Sequence, residues 1–188
     1  MLHFGPSDNR LTMSELITIN SLPADEYQPY FQPYIDLAGS GDIRQILRQQ
    51  MAAFQELYGQ IDEPASQIVH APYSWTIRQV VGHLIDGEKI FSSRALRIAC
   101  EDGQPLPGFD QDLFVENSGY NDVTLAKLAE EFISMRQSNC LMFERFSDKM
   151  WQQSGSCDGK NISVRAIACV MAGHINHHAA IVAKRIEN

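Results

Sequence analysis

Three histidines in this chain stand at spacings that a metal site uses. In Gly173-His174-Ile175-Asn176-His177-His178, positions 174 and 178 are one helical turn apart, so a helix sets their imidazoles side by side. A third ligand has to come from another segment, and His83 in Gly82-His83-Leu84-Ile85-Asp86 is the candidate. Projection at about 100° per residue groups His174 and His178 with Ile167, Met171 and Ile181, and His83 with Val80, Gly87, Ile90 and Arg94. All three rings are therefore expected to face an interior. His177 falls at the margin of the stripe, where it would line a cleft or donate a hydrogen bond. An ordinary hydrogen bond explains any single buried imidazole. Several among Ile and Met leave lone pairs unsatisfied at about 1–3 kcal/mol each, whereas one shared cation satisfies them together.

Three protein nitrogens around a divalent ion leave at least one coordination position for water or substrate, which separates a catalytic site from a closed structural one. Such an ion lowers the pKa of water to about 7 and deprotonates a thiol outright. A three-imidazole set suits zinc, nickel, copper or iron.

Asp86 and Arg136 are the candidate catalytic residues beside the metal ligands. Asp86 lies one turn beyond His83 and either orients an imidazole or occupies a solvated face. Arg136 and Asn139 interrupt the apolar stripe of their helix, so they either satisfy the backbone of the long loop or meet an anionic substrate, with the structural role favoured for Asn139 and Arg136 left open. Gly87 removes a side chain where something approaches the helix closely, or where helices pack tightly. Glu88 projects to another side and is expected to make a surface ion pair. Arg94 shares the line of His83 but sits about 16 Å along the axis, too far to be a ligand. Tyr120 and Asp110 could reach a cleft mouth.

Four helices would position these groups. Ile43 to Ile61 follow helical spacing, with Gly59 and Pro64 at the end. Thr76 with Gln79 forms a capping box that opens a second helix, ending near Cys100. Leu125 to Phe146 give a third, and Ser163 caps a fourth over 164–187. Residues 101–121 read as a long ordered loop and 152–161 as a polar turn. With no convincing strand, the pattern predicts an all-α fold: an antiparallel four-helix bundle over 41–188, preceded by an N-terminal extension, 1–40, of no assigned role. Met13 is an alternative start.

Composition narrows the function. A net charge of −8 argues against affinity for phosphate backbones and hence against nucleic acid. Cys100, Cys140, Cys157 and Cys169 are widely spaced, without a Cys-x-x-Cys pair, and read as reduced thiols. No uninterrupted apolar stretch reaches membrane-spanning length and no leader is evident, so a cytoplasmic location away from membranes is expected.

Over residues 41–186 the chain resembles the DinB/YfiT-like superfamily of four-helix metalloenzymes. The resemblance rests on Trp75-Thr76, Gly82-His83-Leu84-Ile85-Asp86-Gly87-Glu88, Pro105-Leu106-Pro107-Gly108-Phe109-Asp110, Ser163-Val164-Arg165 and the final Gly173-His174-x-x-His177-His178. It implies a metal triad at His83, His174 and His178, a divalent ion such as zinc or nickel, a small-molecule substrate and often a homodimer. It also implies a thiol-dependent S-transferase using a low-molecular-weight thiol such as bacillithiol, mycothiol or glutathione. The alternatives are a hydrolase acting through water at the metal, or a non-catalytic metal-binding stress-response protein.

Overall fold

The structure is a computed structural model that describes residues 17–19 and 22–187; Met13 and most of the first 21 residues lie outside the described part. The Pro- and Tyr-rich lead-in ends in a short helix, α1 (Gln32–Leu37). After it come α2 (Ile43–Gly59), opened by the Asp42 carboxylate accepting from Arg44 N, and α3 (Ile77–Ala99), opened by the Thr76–Gln79 capping box. Cys100 closes α3 as expected. A short α4 (Gln111–Asn117) precedes α5 (Leu125–Glu144). A single-turn α6 (Asp148–Gln152) leads into strands β1 (Ser154–Cys157) and β2 (Lys160–Ser163), and α7 (Val164–Ile186) follows the Ser163 cap.

Two connections differ from expectation. The segment read as a loop over 101–121 contains α4, because the Asp110 side chain accepts from the backbone N–H of Asp112 and Leu113 and starts a helix there. The segment read as a polar turn over 152–161 is an antiparallel hairpin. Its turn is Asp158-Gly159, with φ of +53° and +70°, the pair that a tight hairpin turn favours. Helices still dominate, and the fold is the predicted all-α four-helix bundle.

Long helices α2, α3, α5 and α7 form the bundle, with α3 and α2 each packed against both α5 and α7. Consecutive helices α2 and α3 therefore sit on a diagonal. The start of α5 lies near the start of α3, since Glu63 accepts from both Arg78 Nη2 (2.7 Å) and Leu125 N (3.0 Å). Beyond the C-terminal end of α3, Glu101 accepts from Gln153 at 2.9 Å, after α5. Helices α3 and α5 thus run the same way, and residues 100–124 must travel the length of the bundle between them. Helices α3 and α7 run antiparallel, as do α2 and α5.

The apolar interior divides into two clusters along the bundle. Leu47, Ala95, Phe143 and Met171 belong to one, and Phe54, Leu84, Phe132 and Ile175 to the other. A buried polar layer lies between them. In it Arg136, fully buried, grips Glu88 with two bonds: Nε to Oε2 at 3.0 Å and Nη2 to Oε1 at 2.6 Å. Arg136 Nη1 donates to Gln50 Oε1 (2.8 Å), and Asn139 Nδ2 donates to Glu88 Oε2 (2.8 Å). Gln50 Nε2 continues to Ala172 O and Asn176 Oδ1, both at 2.8 Å, so the layer joins all four helices. The expected surface ion pair of Glu88 is corrected by this geometry. Helix α3 packs on two sides, so the flank that carries Glu88 faces α5 instead of solvent.

Helix α7 is, among the described residues, long and apolar enough by length and composition to cross a membrane, although Arg165, His174, Asn176, His177 and His178 interrupt its apolar run. Its apolar residues fill the bundle core, from Val164 to Ala172 and again at Ile175 and Val182.

Glu88→Gln leaves a buried guanidinium without its counter-charge and is expected to destabilise the fold by about 3–5 kcal/mol in urea unfolding. The double replacement Glu88→Leu with Arg136→Met should lose much less, because it removes both charges. Equal losses in the two proteins would contradict the pairing argument.

Candidate metal centre

His83 comes from the middle of α3, and His174 and His178 come from successive turns of α7. The antiparallel packing of these helices brings the three together. One nitrogen from each ring lies within 4.8 Å of the others, and His83 Nε2 stands 2.8 Å from His174 Nε2. Ring centroids are 4.7 Å apart for His83 and His174, 4.9 Å for His83 and His178, and 4.8 Å for His174 and His178. The rings are steeply inclined to one another.

Their charge state follows from burial. His83 is 4% exposed and His174 5%. Loss of hydration pushes the His83 pKa down to about 4, helped by the nearby His177, and that of His178 to about 3, helped by His83 and His177. His174 is displaced well below the usual imidazole range, chiefly by burial, then by the other histidines and by Arg136. All three rings are neutral at physiological pH, so each carries one nitrogen lone pair that a cation can take up. Three neutral nitrogens of this kind fit a divalent transition metal. Pairwise hydrogen bonding among imidazoles cannot satisfy every one of those lone pairs.

Close packing fixes the rings. A Cβ on Gly87 would stand 3.1 Å from His174 Cε1, so the object that approaches this glycine is the His174 ring. Each of the two glycines that precede a ligand receives a segment from outside the bundle. At Gly82 it is the Tyr120 ring, 2.1 Å from where a Cβ would lie; at Gly173 it is the Tyr34 carbonyl oxygen, at 1.7 Å. Trp75 packs on His83, with centroids 5.0 Å apart.

The supporting residues fall differently from expectation. Asp86 is buried, but its interacting neighbour is the Tyr120 hydroxyl and no imidazole bonds to it. Burial raises its pKa, and its Oδ2 has no hydrogen-bond partner among the described residues. Asp86 thus neither bonds an imidazole nor occupies a solvated face. Arg136 is sealed in the polar layer and cannot touch a substrate; it acts on the site through its field on His174. Asp110 caps α4 and Tyr120 is buried against α3, so neither forms a cleft mouth. His177 is half-buried, 5.0 Å from His178 and 5.8 Å from Tyr34 by ring centroids, and lies outside the three-nitrogen cluster.

Beside His83 and His174 opens a cavity of about 100 Å³. Its walls were missed in the sequence because they come from outside the bundle: Tyr34 from α1, Phe109 from the connection after α3, and Cys157 from the hairpin. Tyr34 meets His174 edge-on at 5.6 Å, and its hydroxyl makes no hydrogen bond among the described residues. The run of Tyr and Pro around residues 27–34 and the glycine before His174 were the available clues. His178 borders a second cleft, of about 310 Å³, together with Trp75 and Arg185.

A family model of the DinB superfamily matches residues 45–182. Among solved structures, the chain is similar to YfiT from Bacillus subtilis, described as a probable metal-dependent hydrolase with an unusual four-helix bundle topology. The TM-score is 0.70 at 15% identity, covering 77% of this chain and 84% of that one. No curated protein sequence matches.

Elemental analysis of untagged protein is expected to find about one divalent metal per chain, lost in His83→Ala and in His174→Ala and retained in His177→Ala. Full retention in the first two variants would refute the site. In metal-free protein, histidines with pKa values depressed below the unfolded value take up protons only on unfolding. Their contribution to stability is complete above about pH 6.5 and declines as pH falls toward about 4 and then 3. Urea titrations across that window should show the decline, and His83→Ala should flatten it.

Proposed function

The chain belongs to the DinB superfamily, and from that premise we propose that it is a metal-dependent enzyme acting on a small molecule, with hydrolysis as its first reading. One observation carries the proposal: three uncharged imidazole nitrogens within 4.8 Å of one another, two of their rings bordering an accessible cavity. The description of YfiT as a probable metal-dependent hydrolase supports the same reading. A divalent ion held by His83, His174 and His178 supplies Lewis acidity, polarising a substrate oxygen and making water a nucleophile near neutral pH.

The chain's own residues prepare the site. Burial, helped by the neighbouring histidines, keeps the ligand rings unprotonated, and at His174 the field of Arg136 adds a smaller push. Phe91, 5.9 Å from His174 by ring centroids, and Tyr34 form apolar walls that exclude bulk water from one side. The free Tyr34 hydroxyl is available to donate to a substrate oxygen.

A second reading, S-transfer of a low-molecular-weight thiol, is favoured by a specific feature. No carboxylate bonds to the imidazoles among the described residues; Asp86 faces Tyr120, and Asp158 bonds Lys160 Nζ at 2.6 Å. A bound metal would leave water only partly ionised at neutral pH, so that hydrolysis would gain from a nearby base, whereas it would deprotonate a bound thiol outright.

Zinc-loaded and nickel-loaded protein should be tested against small esters, amides and electrophiles, with and without glutathione or bacillithiol. Turnover is expected to fall at least about 100-fold in His174→Ala and on chelation, and to return with metal. Turnover without added thiol supports hydrolysis, and an absolute need for thiol selects the transferase. Turnover indifferent to chelation would overturn both.

A further inference from the structure

The cavity beside His83 and His174 has a composition that selects its occupant. Five aromatic rings border it: Tyr30, Phe31 and Tyr34 from the N-terminal lead-in, Phe91 from α3, and Phe109 from the long connection. Apolar walls of this kind accept a flat apolar body. The charged groups at its rim are unequal in number. Arg94 and Lys160 are cationic, and Asp158 is the one carboxylate among the described lining residues.

Lys160 and Asp158 neutralise each other, with Nζ 2.6 Å from Oδ2. Asp158 is held in the left-handed hairpin turn, at φ +53°, and its carboxylate packs where a Cβ on Gly108 would stand. Arg94 is left over. Its Nη2 donates to Pro107 O at 2.6 Å, its Cζ lies 5.8 Å from the Phe109 ring centroid, and no carboxylate of the described residues lies within salt-bridge reach. A half-buried guanidinium stacked on an aromatic ring at a cavity mouth, with donors unused, is the arrangement that receives a carboxylate. It stands out further on a chain of net charge −8.

We propose that this cavity binds a small molecule with an aromatic body and a single carboxylate, the ring lying among Tyr34, Phe91 and Phe109 and the acid meeting Arg94. The assignment rests on the metal-enzyme reading for what happens to the molecule, but not for its binding. Length supports it. Arg94 lies eleven residues beyond His83, about 16 Å along the axis, both residues line the one cavity, and the long flexible Arg94 side chain can take up part of that gap. One ring with a short acidic side chain spans the rest and leaves its far end at the imidazoles. A molecule lacking the acid leaves Arg94 unpartnered, and one lacking the ring leaves the aromatic walls wet.

The test is calorimetric titration of 3-phenylpropionate, its neutral amide and acetate into metal-free and zinc-loaded protein. The acid is expected to bind metal-free protein at least tenfold more tightly than the amide, with acetate weakest. Arg94→Gln should bring the acid down to the level of the amide, with zinc content unchanged and a cooperative melting transition retained. Phe109→Ala should weaken acid and amide alike. Equal binding of acid and amide, an unaltered affinity in Arg94→Gln, or no binding of either aromatic compound would overturn the proposal. Binding of the acid only in zinc-loaded protein would overturn it too, because the metal and not Arg94 would then hold the carboxylate, and the metal site would stand. Tight, Arg94-dependent binding to a protein that takes up no zinc would support the cavity assignment while removing the proposed chemistry.

Discussion

A charge buried at the middle of the bundle governs this molecule. Arg136 has no access to solvent, so its guanidinium must be matched inside, and Glu88 matches it with two bonds while Asn139 and Gln50 complete the set. Such pairs contribute little net stability, because desolvation offsets most of the attraction, but they strongly disfavour any packing that separates the partners. Every bundle helix carries one contact of this layer, and Gln50 extends it to Ala172 and Asn176, on either side of His174. The register of α7 against α2 and α3, and with it the position of the imidazoles, is therefore set by hydrogen-bond geometry as well as by apolar fit. Pairing with Glu88 does not remove the field of Arg136 at His174, which adds to burial in keeping that ring uncharged. One residue thus locks the bundle and, behind burial and the other histidines, adds a small push that keeps His174 uncharged.

The diagonal arrangement of α2 and α3 explains where the remaining parts of the site come from. Because α3 and α5 run the same way, the chain between them has to return along the bundle, and that return path places Phe109 over the seam between α3 and α7. The lead-in before α2 covers the same seam from another side, held by the Asn176 Nδ2 bond to Leu37 O at 2.8 Å. Ligands come from the core helices, and cavity walls come from connections and the lead-in. The division matters for specificity. The family match begins at residue 45, beyond Tyr30, Phe31 and Tyr34, so the metal centre lies inside the shared region and part of the cavity lies outside it.

Helical periodicity made the four long helices and the inward direction of His83, His174 and His178 legible, because a helix with one apolar stripe fixes which residues point at its neighbours. Thr76 and Ser163 marked helix starts for the same local reason: a side-chain oxygen meets a free backbone N–H. Glu88 was misread because projection assumes one buried face, and α3 has more than one. For Asp86 the sequence left an imidazole or solvent as partner, because spacing shows which residues share a helix face but not that Tyr120, more than 30 positions away, arrives there. The hairpin at 154–163 was hidden by its polar composition, although Asp158-Gly159 carried the turn chemistry. Arg136 and Asn139 were visible as interruptions of a stripe; only the packed bundle identifies Glu88 as their partner.

The two Gly-His pairs gain a physical meaning from this packing. A ligand histidine needs a fixed ring, and a ring is fixed by contacts on the sides that its own helix does not supply. Glycine immediately before the ligand lets an outside segment lie directly on the helix backbone beside it: the Tyr120 ring at Gly82 and the Tyr34 carbonyl at Gly173. Any side chain at either position would push that segment outward. At Gly82 the displaced group would be the aromatic ring that meets Asp86, and at Gly173 it would be helix α1, which carries Tyr34 across His174 and His177. These glycines act at the distance of one residue from the metal ligands by setting what lies against the helix. The same steric rule that permits close helix packing here builds the wall of a cavity.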